Sequence, residues 1–180
     1  PQELFQFGMM GSVFARRALG IENPRIGLLN IGEEEKKGNE VVKQAYALLK
    51  DSSLNFVGNV EGNKVFHGVS DVIVCDGFVG NIVLKTAEGV IKSVAHLLEQ
   101  SFKSSKLPMD QMRQQFDWIF TRMNPSEYGG APLLGVKGTC IIAHGSSKAV
   151  SVRNALSTAQ RCITAEVVTM IGKEIELEGC

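Results

Sequence analysis

Asp71-Val-Ile-Val-Cys-Asp-Gly-Phe-Val-Gly-Asn-Ile-Val-Leu-Lys85 reads as a buried strand that breaks into a glycine-marked turn and continues as a helix. Val72, Ile73, Val74 and Cys75 follow one another without a polar interruption. That is the pattern of a parallel strand covered on both faces and set inside a sheet. Asp76 falls at the C-terminal end of this strand, Gly77 and Gly80 permit tight backbone turns, and Asn81 and Lys85 stand four apart on the first turns of the helix. Three polar side chains and several free helix amides can thereby converge on one anion. The same residues read equally as an ordinary βα turn with Asn81 as helix cap, because such turns need not bind anything.

Outward from this junction, strands alternate with helices, which argues for an α/β fold on a mostly parallel sheet with flanking helices. Towards the N-terminus, Leu4, Phe5, Phe7, Gly8, Met10, Gly11, Phe14, Ala15, Ala18 and Leu19 recur at three and four spacing. They predict a helix over 4–19 with small residues on a close-packed face, stopped by Gly20. Pro24 and Arg25 lead into the β run Ile26–Ile31, followed by the charged segment Glu33-Glu-Glu-Lys-Lys-Gly-Asn39. Asn39 then caps a helix to Lys50 in which Val41, Val42, Ala45, Leu48 and Leu49 share a face. Leu54–Val60 is a second strand.

Towards the C-terminus, the helix begun at Asn81 runs to about Phe102, and Lys103-Ser-Ser-Lys-Leu-Pro108 breaks it. A second helix carries Met109, Met112, Phe116, Ile119, Phe120 and Met123 on one apolar face, so residues 81–123 form an inserted αα-hairpin. Two short strands at 133–137 and 139–143 and a final helix from Ser147 to about Gly172 close the chain. No internal repeat or low-complexity linker divides it.

The chain has 180 residues, 44% of them hydrophobic, with 19 basic and 19 acidic side chains. That balance excludes a general attraction to nucleic acid or to an anionic surface, so any anion site must be local. Cys75, Cys140, Cys162 and Cys180 show no CxxC spacing. They read as reduced thiols of a cytosolic protein, and neither a metal nor a cofactor is expected. No GxGxxG follows a strand, which disfavours a nicotinamide dehydrogenase. No apolar run approaches the roughly 20 residues that span a bilayer. The start Pro1-Gln2-Glu3 lacks signal-peptide character and an initiator Met, the mark of a processed or excised chain.

Four segments, Asn30–Asn39, Cys75–Asn81, Ser126-Glu-Tyr-Gly-Gly-Ala-Pro-Leu-Leu-Gly135 and Ile142-Ala-His-Gly-Ser-Ser147, together closely resemble the bacterial and plastid phosphate acyltransferase family. The similarity runs from about Gln2 to about Ala159. Members of that family are nearly twice this length, and what matches is their C-terminal half, so their N-terminal α/β half is expected to be absent here. The resemblance implies a fold of the isopropylmalate dehydrogenase and phosphotransacetylase type. It implies transfer of a long fatty acyl group from acyl carrier protein to inorganic phosphate, giving acyl phosphate for phospholipid synthesis. It also implies a homodimer in the cytoplasm or plastid stroma that contacts the inner membrane face peripherally. The dimer is expected to use the hairpin, with the tip near Lys103–Leu107 free to meet an anionic bilayer. Two alternatives are a phosphotransacetylase-like enzyme acting on short acyl-coenzyme A, and a non-catalytic half-domain that dimerises or binds acyl carrier protein.

Phosphate is anionic and nucleophilic at neutral pH, so its attack on a thioester needs positioning and charge stabilisation more than a base. Lys37, Asn39, Asn81, Lys85, His144, Ser146 and Ser147 are donors of the right kind and match the family motifs, as do Asn30, Gly77, Gly80 and Gly145. Asp76 is expected to orient Lys85 or Asn81. His144 ends a strand and can protonate the departing thiolate or bond the phosphate; it can equally be a structural residue at the strand end. Ser146 and Ser147 also suit N-caps of the last helix. Tyr128-Gly129-Gly130 either shapes the backbone near the acyl phosphate or is a simple glycine turn. Glu33, Glu34 and Glu35 read as a carboxylate acid–base site or as a solvated loop. No GxSxG elbow is present, which favours direct attack by phosphate over an acyl-serine route.

Overall fold

Helix α1 (Gln2–Leu19) ends where its sequence says, with Gly20 in the left-handed conformation (φ 73°) and its N–H returned to the Ala15 carbonyl. The computed structural model describes residues 1–104, 130–143, 145 and 147–178. They fall into two units, Pro1–Gly77 with Pro132–Cys140 and Ala159–Cys180, and Phe78–Ala131 with Ile141–Thr158.

The first unit is built on three parallel strands in the order β2-β1-β3, with β1 at Ile26–Asn30, β2 at Phe56–Glu61 and β3 at Val72–Val74. Helix α2 (Glu40–Lys50) joins β1 to β2. Ile26, Leu28 and Val74 share one sheet face and pack with Leu4, Phe5 and Met9 of α1 and Ala45 and Leu49 of α2. Close approach of α1 explains its small residues, since a Cβ at Gly11 would stand 2.6 Å from Val72 Cγ1. The other flank of α1 presents Met10, Val13 and Ala18 to Cys162, Val167 and Ile171. Arg16 reinforces that flank with an ion pair to Glu174.

Several expectations need correction. The strand at 71–75 is parallel but lies at an edge of the described sheet, and β1 is central. An unbroken apolar run reports cover on two faces, which a strand can have at either place. Helix α3 (Gly77–Ser104) begins four residues earlier than expected. Gly77 and Gly80 therefore belong to its first turn, neither with a positive φ, and Asn81 is its fifth residue instead of its cap. Asp76 precedes the helix immediately, where a carboxylate faces free amides and the positive end of the helix dipole.

Residues 133–137 do not form a strand. Strand β4 is only Ala131–Pro132 and β5 only Ile141–Ile142, and a turn containing Gly135 (φ 81°) lies between them. The expected single last helix is two, α4 (Ala149–Thr164) and α5 (Val167–Leu177), separated at Glu166 with φ 52°. No glycine or proline marks that break, so the apolar spacing runs through it unaltered. The second helix of the expected hairpin, near 109–123, lies outside the described residues.

In the second unit, α3 has a half-buried face at Val83, Ala87, Ile91, Ala95 and Leu98, spaced three and four apart. Alongside this stripe, Ile82, Val90, Val94 and Leu97 are exposed, Leu97 by 62%. Among the described residues no helix is long and apolar enough to cross a membrane.

The start of the sheet is clamped by charge. Asp71 accepts from the Arg25 backbone N–H at 2.8 Å and from Arg25 Nε and Nη2 at 3.0 and 2.9 Å. These bonds hold the Asp71 carboxyl at about 2, below its ordinary value. A carboxyl depressed on folding contributes stability above its unfolded pKa near 4, and that contribution is lost as pH falls through the folded value. Asp71→Asn should therefore lower the urea midpoint at pH 6, and the gap to the unsubstituted protein should close as pH falls from about 4 to about 2. A gap independent of pH would show that the carboxylate charge does not matter there.

Candidate functional site

Because the three strands are parallel, their C-terminal ends meet one edge, the place where open α/β sheets bind ligands. Asn30 at the end of β1 lies opposite Glu61 of β2 in register. Two residues beyond the pair Leu28–Val74 come Asn30 and Asp76, at the same edge of adjacent strands.

From Asn30 the chain enters the charged loop to α2. Asn30 Oδ1 accepts from the Ile31 N–H at 2.8 Å and Nδ2 donates to the Lys37 carbonyl at 3.0 Å. The Lys37 N–H donates to the Glu34 carbonyl at 3.0 Å, closing a four-residue turn. Gly38 then takes φ 90° directly against Asn30. Asn39 caps α2 as expected, its Oδ1 accepting from the Val42 N–H at 2.9 Å.

Charge in this loop is sorted by pairing. Lys64 engages Glu33, and Lys50 bonds Glu35 at 3.0 Å. Each lysine is raised in pKa first by its bond to that glutamate and then by the glutamate's charge. Glu33 and Glu35 are thus outer-surface partners, in keeping with the solvated-loop reading of the acidic run. Lys37 is exposed, and its ammonium has no ion pair or hydrogen bond among the described residues. An exposed cation on a backbone fixed on both sides can meet an anion without leaving a carboxylate.

One residue of this edge escaped the sequence reading. Asn59, 8% exposed in β2, donates through Nδ2 to the Glu34 carbonyl at 2.9 Å, and among the described residues its Oδ1 has no partner. A buried amide left half-satisfied costs about 1–3 kcal/mol relative to a paired one. The available signal was the polar residue interrupting the apolar run Phe56–Val60.

Cys75, half-buried between β3 and Asp76, has its thiol pKa pushed up by burial and then by the Asp76 charge. It stays protonated and unreactive, as its place in an apolar strand implies.

The second unit holds other candidates. Lys85 Nζ bonds Glu88 at 2.9 and 3.2 Å, one helical turn along α3, and Asn81 is exposed. Gly130 has φ 124°, and a Cβ there would stand 2.7 Å from the Ile142 carbonyl oxygen, so the backbone itself requires glycine. Gly145 is exposed. Ser147 does not cap α4, which starts at Ala149; the Lys148 carbonyl takes the Val152 N–H at 3.1 Å. Tyr128, Gly129, His144 and Ser146 lie outside the described residues.

Residues 1–170 match the family model described as fatty acid synthesis protein. The chain belongs to that family. It is 48% identical over 182 residues to a protein named phosphate acyltransferase from Thermoanaerobacterium thermosaccharolyticum, covering 99% of this chain and 55% of that relative. A Heliobacterium modesticaldum protein of the same name is 47% identical over 180 residues, covering 97% of this chain and 53% of the relative. A third, from Dictyoglomus turgidum, is 49% identical over 168 residues, with 91% and 50% covered. The chain spans about half the length of these curated relatives.

Proposed function

We propose that this chain supplies the phosphate-positioning part of an acyltransferase that moves a long-chain fatty acyl group from the thioester of acyl carrier protein to inorganic phosphate. The observation that carries the reading is Lys37: an exposed cation, unpaired among the described residues, whose own backbone N–H and carbonyl are both held in a loop at the C-terminal edge of the sheet. The name of the relatives, phosphate acyltransferase, agrees with it.

A phosphate oxygen attacks the carbonyl carbon, the C–S bond breaks, and the thiolate takes a proton while acyl phosphate leaves. Lys37 and the Asn39-capped start of α2 hold the phosphate, with Asn81 and Lys85 as further donors and Asp76 orienting them. His144 gives the proton to sulfur, and Gly145, Ser146 and Ser147 donate to the anion beside it. Tyr128, Gly129 and Gly130 shape the backbone near the acyl phosphate. The fold is of the isopropylmalate dehydrogenase and phosphotransacetylase type with an inserted helical hairpin. A second copy of the chain covers the exposed apolar face of α3, which supports a homodimer, and the hairpin tip near 103–107 makes peripheral contact with the membrane.

The test is formation of acyl phosphate from long-chain acyl-acyl carrier protein and from acetyl-coenzyme A, by this chain as it stands and by a full-length version. Turnover on the acyl carrier protein substrate is expected in the full-length version. Preference for acetyl-coenzyme A would favour a phosphotransacetylase, and binding without turnover in both would make the chain a docking module.

A further inference from the structure

We infer that Asn59 is a positioning residue for the phosphate loop, acting with Asn30 as a two-sided clamp that fixes Lys37; this rests on the function proposed above. Asn59 and Asn30 belong to adjacent parallel strands, β2 and β1. Their side-chain amides reach the two ends of the same turn. Asn59 Nδ2 holds the carbonyl of Glu34 at 2.9 Å, and Asn30 Nδ2 holds the carbonyl of Lys37 at 3.0 Å. The turn closes on itself through the Lys37 N–H to that same Glu34 carbonyl, which thus accepts from Asn59 and Lys37 together.

The surface pairs Lys64–Glu33 and Lys50–Glu35 tie the flanks of the loop but are solvent-exposed and weak. Asn59 is the buried anchor. Stability alone does not call for it. It sits level with Leu28 in the sheet, and its Oδ1 is buried without a partner among the described residues, so an apolar side chain of similar size would suit the packing. Its orientation follows from chemistry: with the amide turned over, Oδ1 would face the Glu34 carbonyl oxygen, and no hydrogen bond would form. What the amide supplies is a fixed backbone beneath Lys37, and hence a fixed origin for its ammonium.

Asn59→Leu keeps the volume and removes the donor, and Asn59→Gln keeps a donor on a longer stem. Two readouts on the 180-residue chain separate the clamp from the function. The first is amide hydrogen exchange of Lys37. It is expected to quicken at least tenfold in Asn59→Leu, recover in part in Asn59→Gln, and leave the Ala45–Leu49 amides of α2 unchanged. The second is inorganic phosphate titrated by 31P NMR, with binding expected to weaken about tenfold in Asn59→Leu while the thermal midpoint is held or raised. Unchanged exchange at Lys37 overturns the clamp whatever phosphate does. Faster exchange with unchanged phosphate affinity overturns its role at the site. Failure of the unsubstituted chain to bind phosphate overturns the functional reading instead, and the exchange result still decides the clamp. Should Asn59→Leu not fold, Asn59→Ala is read in the same two ways.

Discussion

Lys37→Ala in a full-length version of the protein is expected to lower phosphate-dependent acyl transfer about 10²- to 10³-fold, the loss seen when one preorganised donor to a reacting anion is removed. Lys36→Ala is expected to change it less than twofold. Both lysines are exposed and neighbours in sequence, so net charge falls equally in the two variants. What differs is the backbone from which each side chain leaves. The Lys37 carbonyl is held by Asn30 and its N–H by the Glu34 carbonyl. An ammonium on a fixed origin loses less freedom on meeting the anion. Initial rates against phosphate concentration decide the matter, because loss of a ground-state contact raises KM whereas loss of a transition-state contact lowers kcat. Equal losses in the two variants would reduce the role of Lys37 to general electrostatic attraction.

How far the sequence disclosed this arrangement depends on the distance over which each feature is decided. Gly20 and Asn39 terminate α1 and cap α2 through bonds within a few residues, and both are legible from residue type and position. Strand order is not local. Nothing between Asp71 and Cys75 says that β3 lies beside β1 at an edge, because that depends on pairing with Ile26–Leu28 far earlier in the chain. The start of α3 is hidden for a different reason: glycines permit a turn without demanding one, and helical φ is open to Gly77 and Gly80 too. The break at Glu166 gives no sign of itself, since it uses a left-handed residue that is not glycine.

The candidate site divides along the same line. Asn30, Lys37 and Asn39 are close in sequence, and their motif reaches the reader whole. Asn59 acts across 25 positions, and only the folded sheet sets it beneath Glu34. The same holds for the Arg25–Asp71 clamp, 46 residues apart.

Gly38→Ala is the substitution expected to damage this edge most by shape alone, through two separable costs. The first is local: at φ 90° a Cβ strains the backbone by about 1–2 kcal/mol. The second is contact: the new Cβ would stand 2.6 Å from Asn30 Oδ1 and 3.1 Å from Nδ2, so Asn30 must move. Movement breaks its bonds to the Lys37 carbonyl and the Ile31 N–H, each worth about 0.5–1 kcal/mol. The total is about 2–4 kcal/mol. Gly20→Ala isolates the first cost, because Gly20 also has positive φ (73°) but a Cβ there meets nothing within 4 Å. Urea unfolding should thus place Gly38→Ala about 1–2 kcal/mol below Gly20→Ala, and the phosphate KM should rise in the former alone. If both variants lose the same stability, Asn30 gives way without cost and holds the loop less firmly than its two hydrogen bonds imply. If Gly38→Ala loses stability with phosphate dependence intact, the Lys37 turn keeps its shape without Asn30, and Asn59 alone must hold it.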